Sequence, residues 1–404
     1  MKFSPIRRAA LIAAACALVF PAAAQKKYGP GASDTEIKLG QTMPYSGPAS
    51  AYGAIGKVEV AYFKMINEQG GINGRKVNLI SLDDGYSPPK TVEQVRRLVE
   101  QDEVLALFQT LGTAANSAIH KYVNSKGVPQ LLVATGATKW DDPKNFPWTM
   151  GFQPSYQSET QIYAKYLLKN KPNAKIAVLY QNDDYGRDYL KGLKDGLGAA
   201  GAKMLVAEAS YEVTDPTVDS QMLTLQGSSA DTFINITTPK FGAQAVRKAF
   251  DSGWKPLHII NNVSASVGSV LTPAGLDKSV GLLTLQYLKD PNDPQWKDDP
   301  AMLEWRAFMG HYNREADPKD FSNLYGYVAA QTMAQILKQC GNDLTRENVM
   351  KQAANLKNLK LPLLLPGMNL NTSASDFSPI SQGQLARFTG TQWQLFGELL
   401  GASE

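Results

Sequence analysis

Ile37-Lys38-Leu39-Gly40-Gln41-Thr42, then Ile55, Val58, Tyr62, Met65 and Ile66 spaced between Ala54 and Gln69, then Gly70-Gly71, together decide the fold class of this 404-residue chain. The first six residues have the composition of a buried strand. The five apolar positions share one face of a helix with 3.6 residues per turn, and the paired glycines stop it. Working outward, Val77 to Leu82 reads as the next strand, and Thr91 to Gln101 as a helix with Val92, Val95 and Val99 inward. A buried strand at Val104 to Phe108, a helix from Thr113 to Ser125 and a strand from Gln130 to Ala134 complete the series. Strands that alternate with helices of this length pair in parallel through crossovers, so the class is α/β and the unit doubly wound.

The alternation pauses at Asp141-Asp142-Pro143-Lys144-Asn145-Phe146-Pro147, an irregular connection, and then begins again. Helices are expected over Ser158 to Lys169, Tyr185 to Ala199, Asp219 to Gln226 and Gly242 to Asp251. Strands are expected over Lys175 to Tyr180, Met204 to Ala209, Asp231 to Ile236 and Leu257 to Asn261. Two units of one design imply two doubly wound lobes around a cleft. After a strand at Leu283 to Leu288 come long helices near Ala301 to Arg314 and Phe321 to Gln339, expected to pack back on the first lobe. Two final strands, Gln384 to Phe388 and Gln392 to Leu399, flank the hairpin signal Thr389-Gly390-Thr391.

The N-terminus has the parts of a secretory signal peptide: basic Lys2, Arg7 and Arg8, an apolar run from Ala9 to Phe20, and small residues at Ala22 and Ala24. Cleavage after Ala24 would leave 380 residues, enough for two full cores. It would remove three cations and no acid, taking the net charge from +4 to about +1, so no bulk field recommends nucleic acid or an anionic membrane as a partner. Cys16 would leave with this segment. Cys340 then stands alone, with no intramolecular disulfide to form, and reads as a buried small side chain.

Enzyme and metal patterns are not found in the sequence. His120, His258 and His311 lack metal-ligand spacing, and there is no nucleophile elbow, Walker loop or dinucleotide fingerprint, so neither a cofactor nor a metal is expected. No sustained heptad pattern points to an oligomer, and a monomer is expected.

The run from Ile37-Lys38-Leu39-Gly40 through Met43-Pro44-Tyr45-Ser46-Gly47-Pro48 to Asn67-Glu68-Gln69-Gly70-Gly71-Ile72-Asn73-Gly74-Arg75 resembles the start of the extracytoplasmic binding proteins of branched-chain amino acid ABC transporters. Asp83-Asp84-Gly85-Tyr86-Ser87-Pro88, Gly127-Val128-Pro129 and Gln181-Asn182-Asp183-Asp184-Tyr185-Gly186 follow in that family's order. The resemblance implies a type I periplasmic binding protein with three segments crossing between the lobes, near 146, 287 and 360. Lobe 1 would then hold 25–146 and 288–360, and lobe 2 would hold 147–287 and 361–404. It further implies capture of a small ligand by lobe closure and delivery to the permease subunits of an ABC importer.

Candidate site residues lie at strand-to-helix turns. Gln109-Thr110-Leu111-Gly112-Thr113 offers free backbone N–H groups, a helix dipole and the hydroxyls of Thr110 and Thr113 to a carboxylate. A plain N-cap role for Thr113 is the alternative. The resemblance places the ligand carboxylate on this turn, including Gly112, and makes Gly136 and Thr138 counterparts of a second binding segment. Relatives that bind amino acids carry an acid after the strand at Leu257 to Asn261, to meet the ligand ammonium. This chain has Asn262-Val263-Ser264-Ala265-Ser266 there, and no Asp or Glu between Asp251 and Asp277. An ammonium enclosed without a counter-charge is costly to desolvate. Further likeness at Tyr287-Leu288-Lys289-Asp290-Pro291 is to a subgroup that takes aromatic acids of hydroxycinnamate and benzoate type. In that reading Tyr45, Tyr156, Tyr185 and Phe241 stack on a ring, and Asp184 accepts from a phenol; core packing and helix capping are the alternatives for these residues. Two other readings stay open: an amino acid ligand met by Asp184, and a sensor domain of the same fold.

Overall fold

The computed structural model describes residues 26–401, apart from the side chain of Ala202, so the expected signal peptide, 1–24, lies outside the described residues. In chain order the strands are β1 Lys27–Tyr28, β2 Glu36–Met43, β3 Lys76–Asp83, β4 Ala106–Phe108, β5 Gln130–Leu131, β6 Ile176–Gln181 and β7 Leu205–Tyr211. They continue with β8 Thr232–Ile236, β9 Leu257–Ile260, β10 Leu283–Gln286, β11 Asp343–Leu344, β12 Gln382–Phe388 and β13 Trp393–Gly401. The helices are α1 Gly53–Glu68, α2 Pro88–Glu100, α3 Thr113–Ser125, α4 Tyr156–Asn170, α5 Asp184–Leu197, α6 Gly201–Met204 and α7 Asp219–Gly227. After these come α8 Pro239–Asp251, α9 Thr272–Ala274, α10 Pro300–Tyr312, α11 Phe321–Cys340 and α12 Arg346–Ala353.

Two sheets organise the chain. The first has four strands in the order β3-β2-β4-β5, all parallel. The second has seven, in the order β13-β12-β10-β9-β8-β6-β7, parallel except where β12 pairs antiparallel with β10 and with β13. The α/β class with two doubly wound lobes is the architecture observed. Strand β8 is buried at all five positions, Thr232 and Asn235 included, as follows from having helices on both faces.

The chain passes between the sheets three times. Residues 148–152 lie along the first sheet, where Gln130 bridges Thr149, and α4 then enters the second core. After β10 the chain returns, and α10 and α11 bury Trp305, Phe308 and Leu324 in the first core. The third passage falls near 380, later than the sequence suggests. Leu361, Leu363, Leu364, Leu370, Phe377 and Ile380, read from sequence as part of lobe 2, pack into the first core, because Leu288 pairs with Leu364 and holds the segment there. The chain joins the second sheet only at Gln382.

Cys340 ends α11, buried, and its thiol is pushed up to about 12 by desolvation. Among the described residues, no helix is long and apolar enough to cross a membrane.

Candidate ligand-binding site

A cavity opens where the carboxyl ends of strands from both sheets meet. It holds about 60 Å³ in which the centre of a water-sized molecule can move, within about 610 Å³ of space free of atoms. Residues just past strand ends supply much of the wall: Tyr86 after β3, Leu111 to Thr113 after β4, Ala134 after β5, Thr238 after β8, Asn262 and Ser266 after β9, and Tyr287 after β10. Ligand sites in open α/β sheets form at such ends, because the connections there leave a crevice.

Every side chain of this wall is neutral, and seven are aromatic: Tyr52, Tyr86, Tyr156, Tyr185, Tyr287, Tyr325 and Phe321. Packing fixes several rings. Tyr156 meets Tyr185 edge to face at 5.3 Å and stacks on Tyr189 at 4.2 Å. The Tyr185 hydroxyl donates to the Thr237 carbonyl at 2.7 Å, and Tyr52 donates to the Val263 carbonyl at 3.0 Å, which ties α1 to the second sheet's loops. Burial pushes the Tyr52, Tyr86 and Tyr185 phenols well above 10, so they act as neutral hydrogen-bonding groups.

Helix N-termini converge on the same space. Those of α5 and α11 are capped by Asp183 and Asp320. Neither α3, capped by Gly112, nor α8, capped by Thr238 before Pro239, has a side-chain cap bond. At α3, Asn116 N–H donates back to Gly112, leaving the N–H groups of residues 113 to 115 without backbone partners. Thr113 adds a hydroxyl. Its oxygen lies 2.6 Å from that of Thr135, which already accepts from Ala137 N–H and Trp140 Nε1–H. Thr135 therefore has only its hydrogen to give, to Thr113 or to Tyr156 beside both, and where Thr135 gives it to Thr113 the Thr113 hydrogen is left for Tyr156 or the cavity.

The nearest carboxylates are engaged elsewhere. Asp320 accepts from Ser322 N–H at 3.0 Å and from the hydroxyls of Ser266 and Ser269. Glu159 accepts from Asn262 N–H and from the hydroxyls of Tyr163 and Tyr189, and burial pushes its carboxyl up to about 7.

Five residues singled out in the sequence line the cavity: Gly112, Thr113, Tyr156, Tyr185 and Asn262. The other seven sit elsewhere. Tyr45 bonds Ser81 at 2.6 Å beside β3, and Thr110 is buried against Asn116. Gly136 accepts from Tyr156 N–H and borders a neighbouring cavity with Thr138, whose N–H and hydroxyl both donate to Asp188. Asp184 pairs with Lys139 at 2.6 Å in an exposed contact, while the cap of α5 is Asp183. Phe241 packs on Tyr211 in the second core, and Ser264 donates to the Thr237 carbonyl. Tyr52, Tyr86, Gln153, Tyr287, Phe321 and Tyr325 were not singled out. Tyr86 and Tyr287 follow strands within three residues of their ends, the signal that could have found them.

Comparison with known proteins agrees with this geometry. The profile of the periplasmic binding protein family matches residues 36–392. A Leu/Ile/Val-binding protein homolog 7 of Brucella suis is 25% identical over 381 residues, covering 91% of each chain. The structure of a branched chain amino acid ABC transporter protein of Thermus thermophilus with bound valine superposes with a TM-score of 0.82 at 16% identity, over 92% of this chain and 97% of that one. A fatty acid ABC transporter substrate-binding protein of Thermomonospora curvata gives 0.79 at 22%, over 94% and 96%. With its two sheets, its three passages and a cavity walled from both sides, this chain belongs to the periplasmic binding protein family, and it is similar there to the Leu/Ile/Val-binding protein homologues.

Proposed function

We propose that the protein captures a small aromatic carboxylate of hydroxycinnamate or benzoate type by closing its two lobes, as a monomer, and hands it without chemical change to the permease of an ABC importer. The observation that carries this reading is the cavity wall itself. Seven aromatic rings suit a flat ring by offset or edge contacts. Uncapped N-termini of α3 and α8 suit an anion. An ammonium, by contrast, would meet no carboxylate in the wall to offset the hydration it loses. Export through a cleaved signal peptide at 1–24 accords with this role.

A second reading, a branched-chain amino acid ligand, is favoured by the relatives' names and by the valine bound to the Thermus thermophilus protein. Thermal shift of ligand-stripped protein separates the two, because a ligand of the folded state raises its apparent stability. The midpoint should rise with 4-hydroxycinnamate or benzoate and stay unchanged with leucine, isoleucine and valine. A rise with the amino acids alone would sink the aromatic-acid reading. Mass analysis after prolonged incubation should return the acid unaltered.

Thr113→Ala tests the carboxylate end. Thr135 keeps two of its three hydrogen bonds, so the unliganded midpoint should move by no more than a few degrees. Carboxylate affinity should fall about tenfold, the worth of one hydrogen bond to a charged group. Unchanged affinity in calorimetry would remove Thr113 from the site.

A further inference from the structure

Three polar groups in the cavity wall have hydrogen-bonding capacity that the protein leaves unused, and each belongs to a residue more than nine-tenths buried. Gln153 is oriented by its neighbours. Gln109 Nε2 donates to the Tyr325 hydroxyl at 3.3 Å, so that hydroxyl must give its own hydrogen to Gln153 Oε1, at 3.0 Å. The amide nitrogen of Gln153 is then left with two N–H groups unmatched. Asn262 is oriented in the same way: its Nδ2 donates to the Leu285 carbonyl at 2.5 Å, which leaves Oδ1 as a spare acceptor. The Tyr287 hydroxyl has no hydrogen-bond partner among the described residues.

All three line the one cavity. Asn262 bonds the carbonyl of Leu285, two residues before Tyr287, where β9 and β10 lie side by side, and Gln153 is held by Tyr325 of the same wall.

We propose that these groups form a subsite for a neutral hydroxyl on the ligand, and that Gln153, Asn262 and Tyr287 determine specificity for hydroxylated over unsubstituted aromatic acids. This rests on the aromatic-carboxylate reading above. The chemistry of the set selects the group. A hydroxyl has one hydrogen to give and lone pairs to receive, which matches one acceptor, one donor and one phenol able to do either. An ammonium has three hydrogens and no lone pair, so the Gln153 N–H groups would oppose it. A bare ring would cover the three groups without satisfying them, and leaving buried polar groups unpaired is the strongest source of discrimination a binding site has.

Calorimetry with 4-hydroxycinnamate, cinnamate and 4-methoxycinnamate, on the wild type and on Tyr287→Phe and Gln153→Leu, tests the proposal. Tyr287→Phe deletes only a hydroxyl that binds nothing in the protein, so its fold should be unaffected. The wild type should bind the hydroxy acid at least tenfold tighter than cinnamate, with the methoxy acid no better than cinnamate. Either substitution should cut that preference at least threefold while leaving cinnamate affinity within threefold. Equal binding of hydroxylated and unsubstituted acids would overturn the subsite and leave the aromatic-acid reading standing. A preference that survives both substitutions would also overturn it. Binding of none of the three acids would overturn the reading beneath it as well.

Discussion

Gly112→Val should abolish ligand capture, with affinity falling more than a hundredfold, and should cost about 2 kcal/mol of stability. Gly112 sits at φ 100°, ψ 135°, a conformation essentially confined to glycine, and a β-branched residue is the least able to adopt it. A Cβ here would lie 2.8 Å from Cε2 of Tyr86, driving that ring into the cavity. The backbone cannot turn away to relieve the contact. The Gly112 carbonyl is held by Asn116 N–H at 2.9 Å and Asn116 Nδ2 at 2.8 Å, and its N–H points to Ala134. Gly70→Val is the control. Gly70 has φ 101°, but a Cβ there meets nothing within 4 Å, so it carries comparable strain without obstruction. If both variants bind the aromatic acid equally well by calorimetry, the α3 turn is not where the ligand docks.

Glu159→Ala should destabilise the fold by about 4 kcal/mol in denaturant titration, because it strands three buried donors at once: Asn262 N–H at 2.7 Å, Tyr163 hydroxyl at 2.7 Å and Tyr189 hydroxyl at 2.9 Å. The Tyr163 hydroxyl can turn its hydrogen to the Ile260 carbonyl, 3.4 Å away, which softens the loss. The milder Glu159→Gln retains an acceptor and exposes the pH dependence. Burial raises the folded carboxyl to about 7 from an ordinary value near 4.5. The folded state therefore holds the proton more tightly than the unfolded one. The stabilisation is fully present below the unfolded pKa and is lost as pH rises through about 7, a change of about 3 kcal/mol. Buried His258, lowered to about 3, works in the opposite sense, so the quantity to measure is the difference between wild type and Glu159→Gln. That difference should shift by about 2.5 kcal/mol between pH 5 and pH 8, with the wild type losing ground at the higher pH. A flat difference would mean that Glu159 titrates normally.

Glu159 shows what pattern reading misses. Nothing in the spacing of α4 distinguishes it from a surface glutamate, and only the approach of α5 and the β9 loop buries it. Helix α3, by contrast, was legible to the residue, from Thr113 to Ser125, because a strand, a Gly-Thr turn and an amphipathic run all agree there. The sequence also carried the neutrality of the β9 loop, since the lack of an acid between Asp251 and Asp277 needs no coordinates.

Sequence alone determined the strand and helix alternation, the two-unit organisation and the turn at 109–113, because side-chain periodicity and turn chemistry are local and act over a few residues. Tertiary structure decided which polar and aromatic side chains meet. Asp183 caps α5, leaving Asp184 to pair with Lys139, and Phe241 faces the second core. Tyr52, Tyr86, Tyr287 and Tyr325 come from four separate segments to one wall. Their convergence depends on three passages of the chain between two sheets and on where 361–380 packs. These are contacts between residues far apart in sequence, which no local period encodes.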